Sequence, residues 1–437
     1  MKRVVVLLGV FLFFSILNDG FASGKQEKRA EAGAKLEFWD MVWGPAETYN
    51  PTVQRMVDAF SKESGIPTKV QFIGWDTWYQ TFFTAVTSNS APDVATTAFP
   101  LPIQFAGMGE ALVLDSIVEE WEKEKHPILQ DLSQEMFDIY KWQGHQVAFP
   151  WDIQPSSIMY RKDVFSELGL AAPTTWDEFL TSCRTIKAKK PGMIPFSMAV
   201  GDHISYHVMM AFLFQNGVGF LTPDLKPNMN DPRVIRTMQF FTTLMNEGLV
   251  PPGTNSYRQP DAEKIYLSGN AAIFYGYGLP TTAEKDYPQI YRNTATMPIL
   301  KGPDASSPKM MGWYNPIMAF KQTKYPEAAK RFIKWYMDHY MVIYTEGMRS
   351  SFPTRESYRK DPFFTKFPLL DEQNRLLVKN VVTPPWPAPS LYLAYTRIEG
   401  EIYPGVALQK VFTGRTDYKA IAEETNEKIQ QALTELK

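Results

Sequence analysis

The chain has 437 residues, of which 44 % are apolar and 21 % are charged, so it is a folded globular protein with room for two or three domains and is not intrinsically disordered. Its 45 basic and 47 acidic side chains give a net charge of −2, which excludes the strong positive field that nucleic-acid binding needs. The single cysteine, Cys183, excludes an intramolecular disulfide and a metal site built from cysteines.

The N-terminal segment has the pattern of a secretory signal peptide. Lys2 and Arg3 precede an apolar run over residues 4–17, and small residues follow at 22–24. The run is shorter than the roughly 20 residues that cross a membrane as a helix, although an uncleaved anchor is the alternative. We therefore predict a signal peptide over residues 1–24 and a periplasmic mature protein. Because no cysteine lies near the cleavage region, we expect no lipid anchor.

Alternating strand and helix patterns follow. Short apolar runs at residues 36–39, 69–73 and 93–95 predict three strands. Between them, residues 53–60 and 79–86 carry apolar side chains at helical spacing, which predicts two amphipathic helices. The order strand, helix, strand, helix, strand predicts a parallel sheet with crossover helices.

The second half of the chain continues the same alternation. Residues 158–160 are typical of a strand, and Thr175 with Glu178 forms a capping box that starts a helix. Apolar periodicity predicts further helices over residues 326–336 and 418–436.

Two histidines have a spacing that metal sites use. His203 and His207 are four residues apart, which on a helix puts both imidazoles on one face. No Glu lies between them as in hydrolytic zinc sites, so we interpret them as structural histidines, with a metal pair as the alternative. The sequence has no glycine-rich phosphate loop and no Ser-centred nucleophile elbow. We therefore predict no catalytic residue, no metal ligand and no cofactor.

Six segments in a fixed order carry a resemblance to one family. They are GEALVLDSI at 109–117, GHQVAFPWD at 144–152, SIMYRKDVFSELGL at 157–170 with PTTWDEF at 173–179, LSGNAAIFYGYG at 267–278, GWYNPIMAF at 312–320 with YPEAAKRFIKWYM at 325–337, and RSSFPTRESY at 349–358. Together they resemble the extracellular solute-binding proteins of bacterial ABC importers, in the maltose-binding-protein-like branch that binds sugars.

The resemblance implies a fold and a mode of action. The fold is an α/β clamshell of two lobes, each a largely parallel sheet flanked by helices, with three crossings near Asp152, Gly312 and Ser350. The lobes close over a solute in the cleft, and the closed form docks on a membrane permease. The implied lobes are an N-terminal one of residues 35–152 plus 313–350 and a C-terminal one of residues 153–312 plus 351–437.

Sugar chemistry selects the candidate site residues. A sugar has hydroxyls around its rim and C–H patches on its faces, so its binder needs flat aromatic surfaces beside planar amide or carboxylate groups. Such clusters follow the predicted strands, where open α/β sheets bind ligands. The family often has a Trp just after Gly278, where this chain has Leu279, so Tyr275 or Tyr277 is expected to substitute. The candidate ligand-binding residues are Asp40, Trp43, Trp75, Asp76, Phe99, Trp151, Asp152, Tyr275, Tyr277, Trp313, Tyr314, Asn315 and Arg349.

These observations favour a periplasmic binding protein over an enzyme. We expect a monomer that binds a sugar and delivers it to a permease. A di- or oligosaccharide is favoured over a single sugar ring. A polyol, a glycerol-phosphate-type solute or a peptide in the same fold is the first alternative. An exported glycoside hydrolase is the second, because it also needs aromatic platforms and carboxylates in a cleft.

Overall fold

The computed structural model describes most of the chain, and every structural statement below refers to the described part. The described residues are 33–279, 283–347, 350–384, 386–388 and 392–436. The predicted signal peptide and the candidate residue Arg349 lie outside them.

The strands of the described part are short, apart from two long ones that cross its centre. In chain order they are β1 (Leu36–Met41), β2 (Thr68–Ile73), β3 (Val94–Thr96), β4 (Lys141–Trp142), β5 (His145–Gln146), β6 (Ala148–Pro155), β7 (Ser157–Arg161), β8 (Ile194–Ser197), β9 (Ala271–Gly276), β10 (Thr294–Thr296), β11 (Met310–Ala319), β12 (Phe352–Pro353) and β13 (Val381–Val382).

The helices lie between and after these strands. In chain order they are α1 (Ala46–Ser64), α2 (Trp78–Thr87), α3 (Leu101–Gly107), α4 (Asp115–Glu124), α5 (Ile128–Asp131), α6 (Gln134–Asp138), α7 (Lys162–Glu167), α8 (Trp176–Lys189), α9 (Ile204–Gln215), α10 (Pro232–Asn246), α11 (Gln259–Leu267), α12 (Ala283–Asp286), α13 (Pro288–Asn293), α14 (Pro326–His339), α15 (Glu356–Arg359), α16 (Pro362–Lys366), α17 (Pro368–Leu376), α18 (Leu393–Gly400), α19 (Tyr403–Phe412) and α20 (Tyr418–Glu435). A π-helical turn spans Ile343–Gly347 and a 3₁₀ turn spans Val378–Asn380.

Two sheets organise the fold. The first has the strand order β12-β6-β11-β3-β1-β2, with β13 paired to β11, and the second has the order β10-β7-β9-β8. A separate hairpin joins β4 and β5. Helices pack beside both sheets, so the protein is α/β, as predicted.

Both sheets are mixed, whereas the sequence analysis predicted largely parallel ones. In the first sheet β1 is parallel to β2 and β3, but β11 is antiparallel to β3 and β6. The reason lies in the path of the chain. Strand β6 leads out of the first sheet to β7 of the second, whereas β11 returns to the first sheet and therefore runs in the opposite direction.

The helix and strand predictions with strong periodicity are confirmed. Predicted strands coincide with β1, β2, β3 and β7, and predicted helices with α1, α2, α8, α14 and α20. The Thr175 hydroxyl caps α8 by accepting the backbone N–H of Glu178. The Glu178 carboxylate accepts the N–H of Thr174, one residue earlier than a regular capping box predicts, at 2.7 Å.

Helix α9 is buried along almost its whole length. Every one of its residues is buried except His207. A helix that is apolar on all sides has no solvent face, which is why α9 packs between α10, α19 and β11. In the described part of the chain, no helix is both long enough and apolar enough to cross a membrane.

Candidate functional site

A cavity of about 1130 Å³ opens where the first three strands end. Trp43 follows β1, Trp75 and Trp78 follow β2, and Phe99 follows β3, and all four line the cavity. The carboxyl ends of parallel strands meet at one edge of a sheet, so these loops converge there. Residues of α2, α3, β6, β11, α9 and α18 also line it.

Three tryptophans form a continuous aromatic wall on one side of the cavity. The rings of Trp43 and Trp75 meet edge to face with centroids 4.9 Å apart, and Trp75 meets Trp78 in the same way at 6.4 Å. Trp75 is 45 % exposed, and its indole N–H donates to the Val42 carbonyl oxygen at 2.8 Å. The wall therefore combines open aromatic surface with fixed ring orientation, which is what stacking on a sugar face needs.

Asp40 supports this wall from behind and does not line the cavity. Its carboxylate accepts hydrogen bonds from the Thr96 hydroxyl and, at 2.8 Å, from the Tyr49 hydroxyl. Thr96 Oγ1 in turn accepts the indole N–H of Trp43 at 3.0 Å. Asp40 is fully buried, and burial raises its pKa to about 7. The candidate Asp40 thus acts on the cavity through Thr96 and Trp43.

Strands β6 and β11 supply the floor of the cavity. Trp313 of β11 pairs with Gln154 of β6, and Asn315 pairs with Asp152. Trp313, Gln154 and Asn315 line the cavity. Asp152 lies beneath Asn315, whose amide nitrogen donates to the Asp152 carboxylate at 2.7 Å. Burial raises the pKa of Asp152 to about 6.

Tyr277 joins two other lining residues. Its hydroxyl lies 2.6 Å from Nδ1 of His207 and accepts the indole N–H of Trp313 at 3.3 Å. Trp313 also packs against Phe99, with ring centroids 5.3 Å apart. This group forms a second aromatic side of the cavity, apart from the three-tryptophan wall.

A polar cluster formed by His203, His207 and Glu399, the His–Glu cluster, also lines the cavity. A ring nitrogen from each histidine and a carboxylate oxygen lie within 4.8 Å of one another. Burial lowers the pKa of His207 and raises the pKa of Glu399 to about 8, whereas His203 is exposed at the start of α9. The cluster is therefore a group of neutral donors and acceptors at the cavity surface near pH 7.

The structure divides the candidate residues into three groups by position. Those that line the cavity are Trp43, Trp75, Phe99, Tyr277, Trp313 and Asn315. Those described but outside the lining are Asp40, Asp76, Trp151, Asp152, Tyr275 and Tyr314. Arg349 lies outside the described residues.

Trp151, Asp152 and Tyr314 were expected to present their side chains to a ligand, and the structure places them elsewhere. Alternation along β11 sends Trp313 and Asn315 to one face and Tyr314 to the other, where its hydroxyl donates to the Val381 carbonyl oxygen at 3.0 Å. Trp151 is fully buried, packed against α14.

Tyr275 and Asp76 also lie outside the cavity lining. Tyr275 is buried, and its hydroxyl donates to the backbone carbonyl oxygen of His207 at 3.1 Å, so it holds the first turn of α9. Asp76 is exposed beside Trp75 and does not reach the lining.

Several lining residues were not among the candidates. Gln154 of β6 pairs with the lining residue Trp313 of β11, and the sequence analysis did not predict this register. His207 is the half-buried residue of an otherwise buried helix. A polar side chain within a strongly apolar run is the signal that could have identified it. Glu399 gave no signal, because the long separation along the chain conceals its proximity to the histidines. The other missed lining residues include Trp78, Tyr79, Gln104, His203, Thr396, Arg397 and Glu401.

Helices α3 and α18 meet at one side of the cavity. A Cβ added to Gly107 of α3 would lie 2.2 Å from Cδ2 of Leu393 of α18, so a larger residue at position 107 would displace the end of the Leu393 side chain. Both residues line the cavity. The contact therefore closes this side in the described conformation.

Comparison with solved structures gives the same fold. A sugar transporter from Arthrobacter chlorophenolicus, solved with bound laminaribiose, superposes with a TM-score of 0.78 at 23 % identity over 91 % of this chain and 99 % of that one. The maltose-bound MalE3 of T. maritima superposes with a TM-score of 0.73 at 18 % identity, over 91 % and 99 % of the two chains. These similarities establish the two-lobe α/β fold.

Sequence comparison identifies the family. The diacetylchitobiose-binding protein DasA of Streptomyces coelicolor is 23 % identical over 347 residues, which cover 76 % of this chain and 77 % of DasA. The family model for bacterial extracellular solute-binding proteins matches residues 44–339. That match covers more than half of the chain. The chain therefore belongs to the bacterial extracellular solute-binding protein family.

Proposed function

We propose that this solute-binding protein captures a di- or oligosaccharide in its cavity and delivers it to the permease of an ABC importer. The observation that carries the proposal is the pair of aromatic sides around one cavity. Trp43, Trp75 and Trp78 form one side, and Phe99 with Trp313 forms another. Aromatic platforms bind the C–H faces of sugar rings, and the amides of Gln154 and Asn315 between them suit the hydroxyls.

The size of the cavity supports a ligand longer than one sugar ring. Pockets for small ligands span roughly 300–1,000 Å³, and this one holds about 1130 Å³. The similar proteins named above are described with laminaribiose, maltose and diacetylchitobiose, which are all disaccharides. Direct contact is proposed for Trp43, Trp75, Phe99, Tyr277, Trp313 and Asn315.

Binding and transport follow from closure of the two lobes. The proposed lobes are residues 35–152 plus 313–350 and residues 153–312 plus 351–437. A solute that touches both lobes only in the closed form stabilises that form, and the permease then recognises it. We further propose a monomeric protein of the periplasm, released by cleavage near residues 22–24, which has no nucleic-acid partner.

The placement of carboxylates favours binding over glycoside hydrolysis. A glycosidase needs two carboxyl groups that flank the scissile bond from different sides. In the described lining, the carboxylates are Glu399 and Glu401, which come from one helix end. Asp40 and Asp152 are buried behind the lining and hold their own partners.

A thermal-unfolding screen of the purified protein tests the proposal. The panel contains mono- and oligosaccharides, polyols, glycerol phosphates and peptides, since a solute that binds only the native state raises the melting temperature. We expect a rise with one class of di- or oligosaccharide. Isothermal titration then gives the affinity, and chromatography of a prolonged incubation shows whether any bond is cleaved.

Each outcome of the screen decides between the alternatives. A rise with a phosphate ester, a polyol or a peptide and none with any oligosaccharide overturns the sugar assignment. Catalytic release of shorter products overturns the binding function in favour of hydrolysis. A rise with an oligosaccharide that is recovered intact supports the proposal.

A further inference from the structure

Two side-chain atoms of the His–Glu cluster have no hydrogen-bond partner among the described residues. In the described structure, Nε2 of His207 and Oε2 of Glu399 are buried and have no hydrogen-bond partner. Glu399 makes no ion pair with any described residue, because Arg397 on the same helix pairs with Glu435 instead. Buried polar atoms without partners are costly, and a bound ion would supply the missing partner to both atoms at once.

The second ring nitrogen of His207 has a partner that can fix the ring, as metal-binding histidines usually have. Nδ1 of His207 lies 2.6 Å from the Tyr277 hydroxyl. In the tautomer that carries its proton on Nδ1, the ring donates to this hydroxyl and the lone pair of Nε2 stays free. Metal-binding histidines usually donate their second ring N–H to a carbonyl, a carboxylate or water, which fixes the ring.

The separation of the three groups fits one transition-metal ion. Zinc binds imidazole nitrogen and carboxylate oxygen at about 2.0–2.2 Å, which places tetrahedral ligands about 3.3 Å apart. The three ligand atoms lie within 4.8 Å of one another, so small side-chain rotations bring them to a common ion. His203 is exposed at the start of α9 and has room for such a rotation.

We propose that His203, His207 and Glu399 form a binding site for a divalent transition-metal ion of the zinc class in the wall of the cavity. Two imidazoles and one carboxylate favour zinc, nickel or copper over calcium and magnesium, which prefer oxygen ligands alone. Three protein ligands leave a fourth position open toward the cavity. The site does not depend on which solute the cavity holds.

Titration with zinc alone tests the proposal on the purified, chelator-treated protein. Calorimetry is expected to show one saturable site, and cobalt in place of zinc is expected to give the intense visible absorption of a tetrahedral ion. Glu399→Gln and His203→Gln should each weaken zinc binding at least about tenfold, since even the supporting residues of metal sites are worth that much.

His145→Gln is the matched control. His145 is exposed, and its Nδ1 lies 2.6 Å from an Asp115 carboxylate oxygen, so it offers a histidine and carboxylate pair away from the cavity. This variant should bind zinc as the unaltered protein does. Circular dichroism of each variant confirms that it is folded.

Two results would overturn the metal site. One is the absence of a saturable 1:1 complex, and the other is zinc binding that Glu399→Gln and His203→Gln leave unchanged. A sugar titration in the presence of chelator separates this proposal from the sugar function. Sugar binding without zinc binding removes the metal site alone, and zinc binding without sugar binding removes the sugar assignment alone.

Discussion

The indole N–H of Trp43 donates to Thr96 Oγ1 at 3.0 Å, and this hydroxyl connects a cavity tryptophan to the buried carboxylate of Asp40. The same oxygen accepts the backbone N–H of Met41 at 3.1 Å. One threonine therefore fixes the end of β1 and the ring of Trp43, and it donates its own hydroxyl proton to the Asp40 carboxylate.

Thr96→Val removes this hydroxyl at nearly constant volume. We expect the free energy of unfolding to fall by about 2–4 kcal/mol, because an amide, an indole and a carboxylate each lose a partner. Sugar affinity should fall as well, since Trp43 loses its fixed orientation. Urea denaturation and ligand titration measure the two effects.

Thr97→Val is the neighbouring control for that substitution. The Thr97 side chain is also buried, but its hydroxyl bond to the Ala98 carbonyl oxygen is a long one of 3.3 Å. It should cost less stability and leave the affinity unchanged. Equal losses in the two threonine variants would contradict the role given to Thr96.

Trp75→Ala should weaken sugar binding while leaving the fold stable. The side chain is 45 % exposed and belongs to the aromatic wall, so its loss should cost about 1–3 kcal/mol of binding free energy. The free energy of unfolding should change by less than about 1 kcal/mol. Trp335→Ala is the control and should leave sugar affinity unchanged, because Trp335 stacks on His339 away from the cavity lining. An unchanged sugar affinity of the Trp75 variant would show that the three-tryptophan wall does not bind the sugar.

Trp151→Ala should act on stability before binding. Trp151 is fully buried and meets Tyr336 and Tyr340 edge to face, with ring centroids 5.8 and 5.9 Å away. Truncation of a buried tryptophan typically costs about 3–5 kcal/mol. Chemical denaturation measures the loss. A variant with unaltered stability that no longer binds sugar would show that Trp151 contacts the ligand directly.

Stability should decrease as the pH rises from about 4 to about 7. The unfolded chain releases the Asp40 proton near the ordinary value of 3.8, whereas burial raises the pKa of this group to about 7 in the folded protein. The folded state therefore holds more protons in this interval, so rising pH favours unfolding, by up to about 4 kcal/mol in total. Asp152 acts in the same direction up to its pKa of about 6, and Glu399 up to its pKa of about 8.

Asparagine variants separate the two carboxyl groups. Asp40→Asn should flatten the dependence of unfolding free energy on pH up to about 7, and Asp152→Asn only up to about 6. Denaturation curves at several pH values between about 4 and 8 provide the profile. A profile that Asp40→Asn leaves as steep as before would show that Asp40 is ionised throughout.

Local pattern predicted the elements well and the cavity surface only in part. Periodicity located α1 and α14, because one buried face repeats along each of them, and short apolar runs located the first three strands. The aromatic cluster of β11 was found as a set, yet its alternation separates Trp313 and Asn315 from Tyr314. Contacts such as that between His207 and Glu399 join distant parts of the chain, and no local pattern encodes them.

The pairing of Gly107 with Leu393 has a kinetic consequence. Because the two residues touch at the side of the cavity, a solute that enters there must wait until α3 and α18 separate. The observed association rate then levels off at high solute concentration, at the rate constant of that separation. A larger side chain at position 107 would displace the end of the Leu393 side chain and weaken this contact, so solute exchange would become faster and the bound lifetime shorter.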